Sequence, residues 1–375
     1  MQRARSIVRK VHLWLGLGLG ALFALLGLTG SALVFYQEID AALNPSVIAE
    51  SPPPTPGWKS PVWGRALATV RSQWPQRNGA WRFERTGKPG VLAARYQPPK
   101  ADHHGQRIMV WLTPDGTHVL REAEWGTYAM TWIYDLHMQF QMGDVGRDVV
   151  GWTGLGMVML LLSGFWAWWP RGSWVKALRY KRNAAPSRRL HDLHKLAGLV
   201  SMPVLFMLTL TGVMLSLPKQ SDATLVSLFG PLDQTPKPRS IPQPRLPITI
   251  DHALNIAHRA MPKGRLAWVE APGDAQGVYM VRIQQPGDPS FRFPHSYVFI
   301  DQFSGQIVGL KDRTRFGAAS TINNWLHPLH DGSIGGLPLR LFLVLFGLAP
   351  TILFVTGVLR WRTRTKEAGQ TALPY

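Results

Sequence analysis

The chain has 375 residues, twelve of them histidine and none of them cysteine. Ligation of a metal or cofactor therefore falls to imidazole or oxygen donors, with no thiolate to help. Six histidines sit at the ends of long apolar runs: His12, His191 and His194 at one end, His137, His327 and His330 at the other. Two imidazoles from different helices, one on each side of a porphyrin plane, are what a bis-histidine haem requires. A zinc or copper site would need more donors, and no cysteine or carboxylate cluster accompanies either group.

Spacing sorts these histidines into pairs. His12 is followed by Gly16 and Leu28-Thr29-Gly30, and His194 by Gly198 and Leu210-Thr211-Gly212, at identical intervals. Trp132, His137 and Arg147 lead to Gly154, Gly164 and Trp168; Trp325, His330 and Arg340 lead to Gly347, Gly357 and Trp361, again at identical intervals. Between these blocks Pro75 and Trp81 match Pro262 and Trp268. The chain reads as two tandem repeats running in the same direction. The repeat pairs His12 with His194 and His137 with His330 as axial ligands of two b-type haems. His191 and His327 each precede a proposed ligand by three residues and share its helix face, so either could replace its neighbour. Their expected place is beside the haem, on a propionate or proton path. Arg147 and Arg340 are repeat-matched and suit propionates, or anchor the helices at the membrane surface.

Four runs must position these groups: Leu13–Tyr36, Val149–Trp169, Leu196–Leu217 and Leu341–Leu359, each free of charge. At about 1.5 Å per residue each can cross a hydrocarbon core of about 30 Å. Thr29-Gly30 and Thr211-Gly212 lie 17–18 residues beyond their histidines, about 26 Å along a helix and near the level of the other pair. Ser163-Gly164 and Thr356-Gly357 end near the level of the first pair. A glycine there leaves room for a flat macrocycle or for close helix packing. Pro203 and Pro350 are expected kinks.

The formal charge of +19 is distributed as topology dictates and does not point to nucleic acid. Basic residues gather before the first run, between the second and third (Arg171 to Arg189), and after the fourth. Short basic segments remain cytoplasmic, which puts both termini and that link inside. The expected organisation is span one with the N-terminus at 1–37, an outer segment at 38–148, span two at 149–170, and a basic loop at 171–190. Span three follows at 191–217, a second outer segment at 218–340, span four at 341–360 and a tail at 361–375. Each outer segment reads as one helix and then strands: Pro61–Trp74 before Trp81–Arg85, Val91–Tyr96 and Arg107–Leu112, and Asp251–Met261 before Leu266–Glu270, Val278–Ile283 and Ser296–Asp301. Thr249 or Asp251 is the expected cap of the second helix. Ser51–Pro56 and Gln234–Pro247 read as linkers.

These motifs carry a family resemblance. Leu136-His137, Gly143-Asp144-Val145-Gly146-Arg147, Ser163-Gly164 and Trp168-Trp169-Pro170 resemble the PepSY-associated transmembrane family. So do Leu190-His191-Asp192-Leu193-His194, Leu210-Thr211-Gly212 and Leu329-His330-Asp331-Gly332, and the outer segments resemble PepSY-like units. The resemblance implies a multi-pass protein of the bacterial inner membrane, with four helices from two repeats, each carrying a small periplasmic α+β (PepSY-like) insertion. It further implies a haem-dependent oxidoreductase of the ferrioxamine-reductase type, holding two haems b and reducing a ferric siderophore, of hydroxamate type, in the periplasm. Some members carry fused flavin domains; this chain runs about fifteen residues past span four, so a quinol or a separate reductase is the expected donor. Trp125, Tyr128, His295 and several arginines are candidate contacts for the acceptor. Competing readings are a siderophore permease or accessory binding protein, a protease regulator, and a haem reductase of another acceptor. A permease would want mid-membrane charge or a broken helix pair.

Overall fold

A computed structural model describes residues 2–45, 55–85, 90–99, 107–170 and 172–371. In chain order its helices are α1 (Gln2–Val34), α2 (Tyr36–Leu43), α3 (Val62–Gln73), α4 (Ala129–Gln139), α5 (Gly143–Trp168) and α6 (Trp174–Leu178). They continue with α7 (Pro186–Ser216), α8 (Pro218–Phe229), α9 (Ile250–Ala260), α10 (Ala318–Asp331), α11 (Gly336–Gly347) and α12 (Ala349–Thr371). The strands are β1 (Ala80–Glu84), β2 (Leu92–Gln97), β3 (Ile108–Leu112), β4 (Val119–Glu124), β5 (Arg265–Ala271), β6 (Val278–Gln284), β7 (Ser296–Asp301) and β8 (Ile307–Lys311). Of the expected linkers, residues 51–54 and Arg171 of the basic loop lie outside the described residues, and Gln234–Pro247 has no regular helix or strand before its end.

The chain divides into two units. The first comprises Met1–Tyr36, Ile133–Ser221 and Leu329–Tyr375. It contains four stretches long and apolar enough to cross a membrane: Arg3–Val34, Gly143–Trp168, Pro186–Ser216 and Ser333–Thr365. Each is longer than the charge-free run that announced it. A helix keeps satisfying its own backbone beyond the hydrocarbon, and charged side chains there reach the headgroups. α7 thus begins at Pro186, a residue suited to the first helical position. Behind it the fully buried Asp192 bonds Lys195 at 3.0 Å, Arg188 at 3.3 Å and the Lys181 main-chain nitrogen at 3.2 Å, which fastens the basic loop to this helix. The two prolines behave differently. α7 continues through Pro203, whereas the fourth stretch breaks at Leu348, just ahead of Pro350, whose missing N–H leaves the Phe346 carbonyl without its helical donor. At that break a Cβ on Gly27 would stand 2.3 Å from the Gly347 carbonyl oxygen, so glycine is what lets α1 and α11 touch by their backbones.

The second unit comprises Gln37–Trp132 and Asp222–Pro328 and is built on one antiparallel sheet of order β4-β3-β2-β1-β5-β6-β7-β8. The outer segments, read from sequence as separate insertions, share this sheet. Each supplies a four-stranded meander, and β1 pairs with β5 at the seam, Phe83 opposite Val269. One sheet face packs with α3 and α9 around Trp63, Trp81, Phe83, Leu254, Val269 and Ile283. The cap of α9 is Thr249, whose hydroxyl accepts from the His252 main-chain nitrogen at 3.2 Å.

Two expectations need correction. The edge strands β4 and β8 were not foreseen: Val119–Glu124 carries three charges and Ile307–Lys311 contains a glycine, so neither presents the alternation of a half-buried strand. The match of Trp81 to Trp268 fails in space. Trp81 lies in the core, while Trp268 stands opposite Glu84 on the other face, beyond a register shift between Leu266 and Trp268. A slip of one residue moves a side chain through the sheet.

The seam makes the sheet unit one body, so truncation there should be felt by the whole. Phe83→Ala is expected to lower its unfolding free energy by about 3–5 kcal/mol, read from urea unfolding followed by tryptophan fluorescence. A change below about 1 kcal/mol would show that the seam is not part of the core.

Candidate functional site

Four histidines in the span unit occupy one repeated setting. His12 Nδ1 lies 3.1 Å from Ser163 Oγ and 3.2 Å from the Leu160 carbonyl oxygen. His330 Nδ1 lies 3.0 Å from Thr211 Oγ1 and 3.0 Å from the Leu208 carbonyl. His137 and His194 reach Thr29 Oγ1 and Thr356 Oγ1, each at 3.0 Å, and the carbonyls of Leu26 and Leu353. In every case the hydroxyl and the carbonyl come from one turn of a neighbouring helix.

This arrangement fixes the proton. A carbonyl oxygen only accepts, so Nδ1 carries the hydrogen. The hydroxyls spend their own hydrogens within their helices, Thr29 on Leu25, Ser163 on Leu160, Thr211 on Met207 and Thr356 on Ile352, at 2.7–2.9 Å. They too accept from Nδ1. Each ring, when neutral, then keeps a lone pair on Nε2, the form in which histidine binds a metal. Outside the spans, loss of water around His137 and the His330 ring beside it push the His137 pKa down to about 3.

The residue after each hydroxyl is glycine, and the ring fills the place of its missing side chain. A Cβ on Gly164 would meet His12 Cε1 at 2.8 Å, one on Gly30 would meet His137 at 3.0 Å, and one on Gly212 would meet His330 at 3.0 Å. At Gly357 the distance to His194 is an ordinary 3.5 Å. These glycines make room for imidazole; room for a macrocycle was the sequence expectation.

The rings meet in the expected pairs. His12 and His194 have ring centroids 6.3 Å apart, and His137 and His330 have centroids 6.2 Å apart. An imidazole nitrogen lies about 1.15 Å from its ring centroid and binds a metal at about 2.0 Å, so a trans pair on one ion has centroids roughly 6.3 Å apart. Both pairs have that spacing. Ser/Thr–imidazole contacts tie the two pairs to α1, where 29 − 12 = 17 residues separate His12 from Thr29, about 26 Å of helix. Among the described residues no three His, Cys, Asp or Glu side chains converge on one point, so neither pair is part of a larger ligand cluster of those types.

Residues 9–364 match the PepSY-associated TM region. The chain belongs to the PepSY-associated transmembrane family. Among curated proteins no similar sequence was found. Within this family member, Arg147 and Arg340 sit at helix ends. Arg147 Nη2 donates to the Leu215 carbonyl at 2.8 Å, and Arg340 donates to the Val34 carbonyl and lies 4.4 Å from the Phe35 ring centroid. Each thereby satisfies carbonyls at the end of a span. Buried nitrogens with no hydrogen-bond partner include Arg147 Nε, Trp168 Nε1 and His191 Nδ1. Two are N–H donors, and all three suit the carboxylate groups of a haem. His191 lies one turn before His194 on α7 and outside the ring pairs. His327 belongs to the sheet unit, its ring 4.7 Å from that of Phe293.

The sequence reading missed the four hydroxyls as hydrogen-bond acceptors. Their signal was available: Thr29, Ser163, Thr211 and Thr356 each directly precede the glycine, one in every span. The close fit can be tested against an open position, because a Cβ on Gly18 would meet nothing within 4 Å. Gly30→Leu and Gly212→Leu are expected to destabilise the detergent-solubilised protein by about 1–3 kcal/mol, read as a lower melting temperature, with Gly18→Leu near neutral. Equal behaviour of all three would contradict the fit.

Proposed function

We propose that this family member is a di-haem b electron-transfer protein of the bacterial inner membrane, reducing a ferric siderophore in the periplasm. The observation that carries the reading is the geometry of the two histidine pairs: ring centroids 6.2–6.3 Å apart, with Nδ1 of all four rings turned to a neighbouring helix. His12 and His194 would hold the inner haem, and His137 and His330 the outer one. Bound there, the haems supply one-electron redox chemistry. The protein's part is to fix each imidazole in its tautomer and orientation, and to raise its basicity through the Nδ1–H bonds. Arg147, Arg340 and His191 are assigned to propionates or proton movement. The acceptor side balances simply: each ferric complex takes one electron and becomes ferrous, which hard oxygen chelators hold far more weakly. A quinol or a separate reductase supplies the electrons.

The same reading makes the two halves a tandem duplication, with the termini and basic loop cytoplasmic and the sheet unit periplasmic. The basic flanks support that orientation. The recurrence of the Ser/Thr-Gly setting in all four spans supports the duplication.

A reduced-minus-oxidised spectrum of protein made with ample haem is expected to show b-type bands and about two haems per chain. Protein without haem would refute the proposal. His137→Ala or His330→Ala should remove one haem, and His12→Ala or His194→Ala the other; retention of both haems by any of them would break the pairing. Chemically reduced protein mixed with ferric siderophore should reoxidise while ferrous iron collects in a trap. Persistent reduction would remove the siderophore from the assignment. Thr211→Val keeps the shape but loses one of the two acceptors of His330 Nδ1–H, leaving the Leu208 carbonyl. A less basic imidazole stabilises ferric iron less, so the midpoint potential of the outer haem should rise by roughly tens of millivolts. A fall in potential would contradict the assigned tautomer.

A further inference from the structure

The sheet face turned away from α3 and α9 concentrates arginine. One row of cross-strand neighbours runs Glu84, Trp268, Arg282, Tyr297, Lys311, from β1 through β5, β6 and β7 to β8. In the adjacent row Arg82 lies between Arg95 and Glu270. The segment between β6 and β7 folds back onto this surface. Its Arg292 comes within 3.7 Å of Glu84, and its Phe293 and Pro294 carbonyls accept from Arg282.

The charges do not balance. Arg82 bonds Glu270 at 2.7 Å, and Glu84 is surrounded by Arg292, Arg95, Arg82 and Arg282. Burial alone would raise the Glu84 pKa, yet these four guanidiniums together hold it below the usual carboxylate range. Among the described residues these four guanidiniums thus face three carboxylates, Glu84, Glu270 and the Asp288 that acts on Arg282. Arg82 lies 3.4 Å over the Trp268 ring, and Arg282 lies 4.9 Å from Trp268 and 4.8 Å from Tyr297. Aromatic faces attract guanidinium but add no negative charge. Burial pushes the Arg282 pKa down to about 10, and burial together with Arg282 pushes His295 down to about 3. Largely buried positive charge in excess of its carboxylates favours a further counter-charge. One donor is also left over: the indole N–H of Trp268, only 5 % exposed, has no hydrogen-bond partner.

We infer that the Arg82–Trp268–Arg282 surface is a binding site for an anionic ferric chelate, a polycarboxylate or catecholate complex. This deepens the reductase reading and rests on it for the metal. A ferric trihydroxamate carries no net negative charge, so this surface offers it nothing to neutralise. A polycarboxylate complex brings the missing charge and acceptors for bidentate arginine and for the indole N–H.

The test is equilibrium dialysis of the oxidised, full-length protein in detergent against radioactive ferric citrate and, separately, radioactive ferrioxamine. Ferric citrate should bind about tenfold tighter, and Arg82→Gln, Arg282→Gln and Arg292→Gln should each weaken it about tenfold. Arg292 lies outside the strands, so its variant keeps the test alive if the sheet variants unfold. Salt at about 0.5 M should weaken binding to the unaltered protein. Equal retention of the two chelates, or binding indifferent to Arg292→Gln and to salt, would overturn the inference. Because no electron moves here, the outcome separates from the reductase reading. Binding without later reoxidation of reduced protein would sink reduction alone, and reoxidation by ferrioxamine without citrate binding would sink only this site.

Discussion

The bond from imidazole Nδ1–H to one turn of a neighbouring span is the constraint on which the span unit depends. The packed helices offer little water, so a histidine buried among them must find an acceptor inside the protein or leave a donor unmet. A Ser or Thr hydroxyl and the carbonyl three residues before it form that acceptor in all four cases. The bond sets the tautomer, and the glycine after the hydroxyl sets how closely the ring approaches. It also sets helix register. α1 carries His12 to the Ser163 turn of α5 and presents its own Thr29 turn to His137 of α4, so α1 is held near both ends. α7 and α12 meet through His194 and Thr356, and α7 presents Thr211 to His330. A slide of one residue would break both bonds of a pair.

The helix ends obey the same rule of satisfied polar groups. Arg147 and Arg340 supply donors to the carbonyls of Leu215 and Val34, where spans finish and internal partners run out. Asp192 does the reverse at the start of α7, accepting from Lys195, Arg188 and the Lys181 main chain. These fastenings join loops and helix ends to the bundle while the histidine bonds hold the helices in register. Among the described residues of the span unit, the buried nitrogens left without partners, Arg147 Nε, Trp168 Nε1 and His191 Nδ1, therefore stand out as places for a ligand with acceptor oxygens.

The spans and the histidine pairing were legible because both are periodic: apolar runs of fixed length, and identical intervals around His12 and His194 and around His137 and His330. The role of the hydroxyls was not, because a Thr-Gly step reads equally well as close packing until the side chain opposite it is known. In the sheet unit, interior strands announced themselves by alternation, and edge strands with charge or glycine did not. The seam between β1 and β5 was hidden for a deeper reason. Pairing across nearly two hundred positions depends on register, and the register shift near Trp268 turns an apparent sequence match with Trp81 into opposite faces.

Charge gives the same lesson in sharper form. Read along the chain, the excess of basic residues is topological, a label for the flanks of the spans. In space it falls into two populations. One is exposed and flanks the helices, where water and headgroups solvate it. The other comes from segments well separated in sequence, Arg82 and Arg95 from one half and Arg282 and Arg292 from the other, gathered around Glu84 and Glu270. No local charge run marks this second group, because strand residues facing one way alternate with core residues facing the other. The seam brings the two halves' contributions together, so the pairing that makes one sheet also makes the positive surface. Solvated charge on a helix flank asks for nothing further. Largely buried charge that outnumbers its carboxylates does, which makes the sheet face the part of the molecule whose composition favours a charged partner.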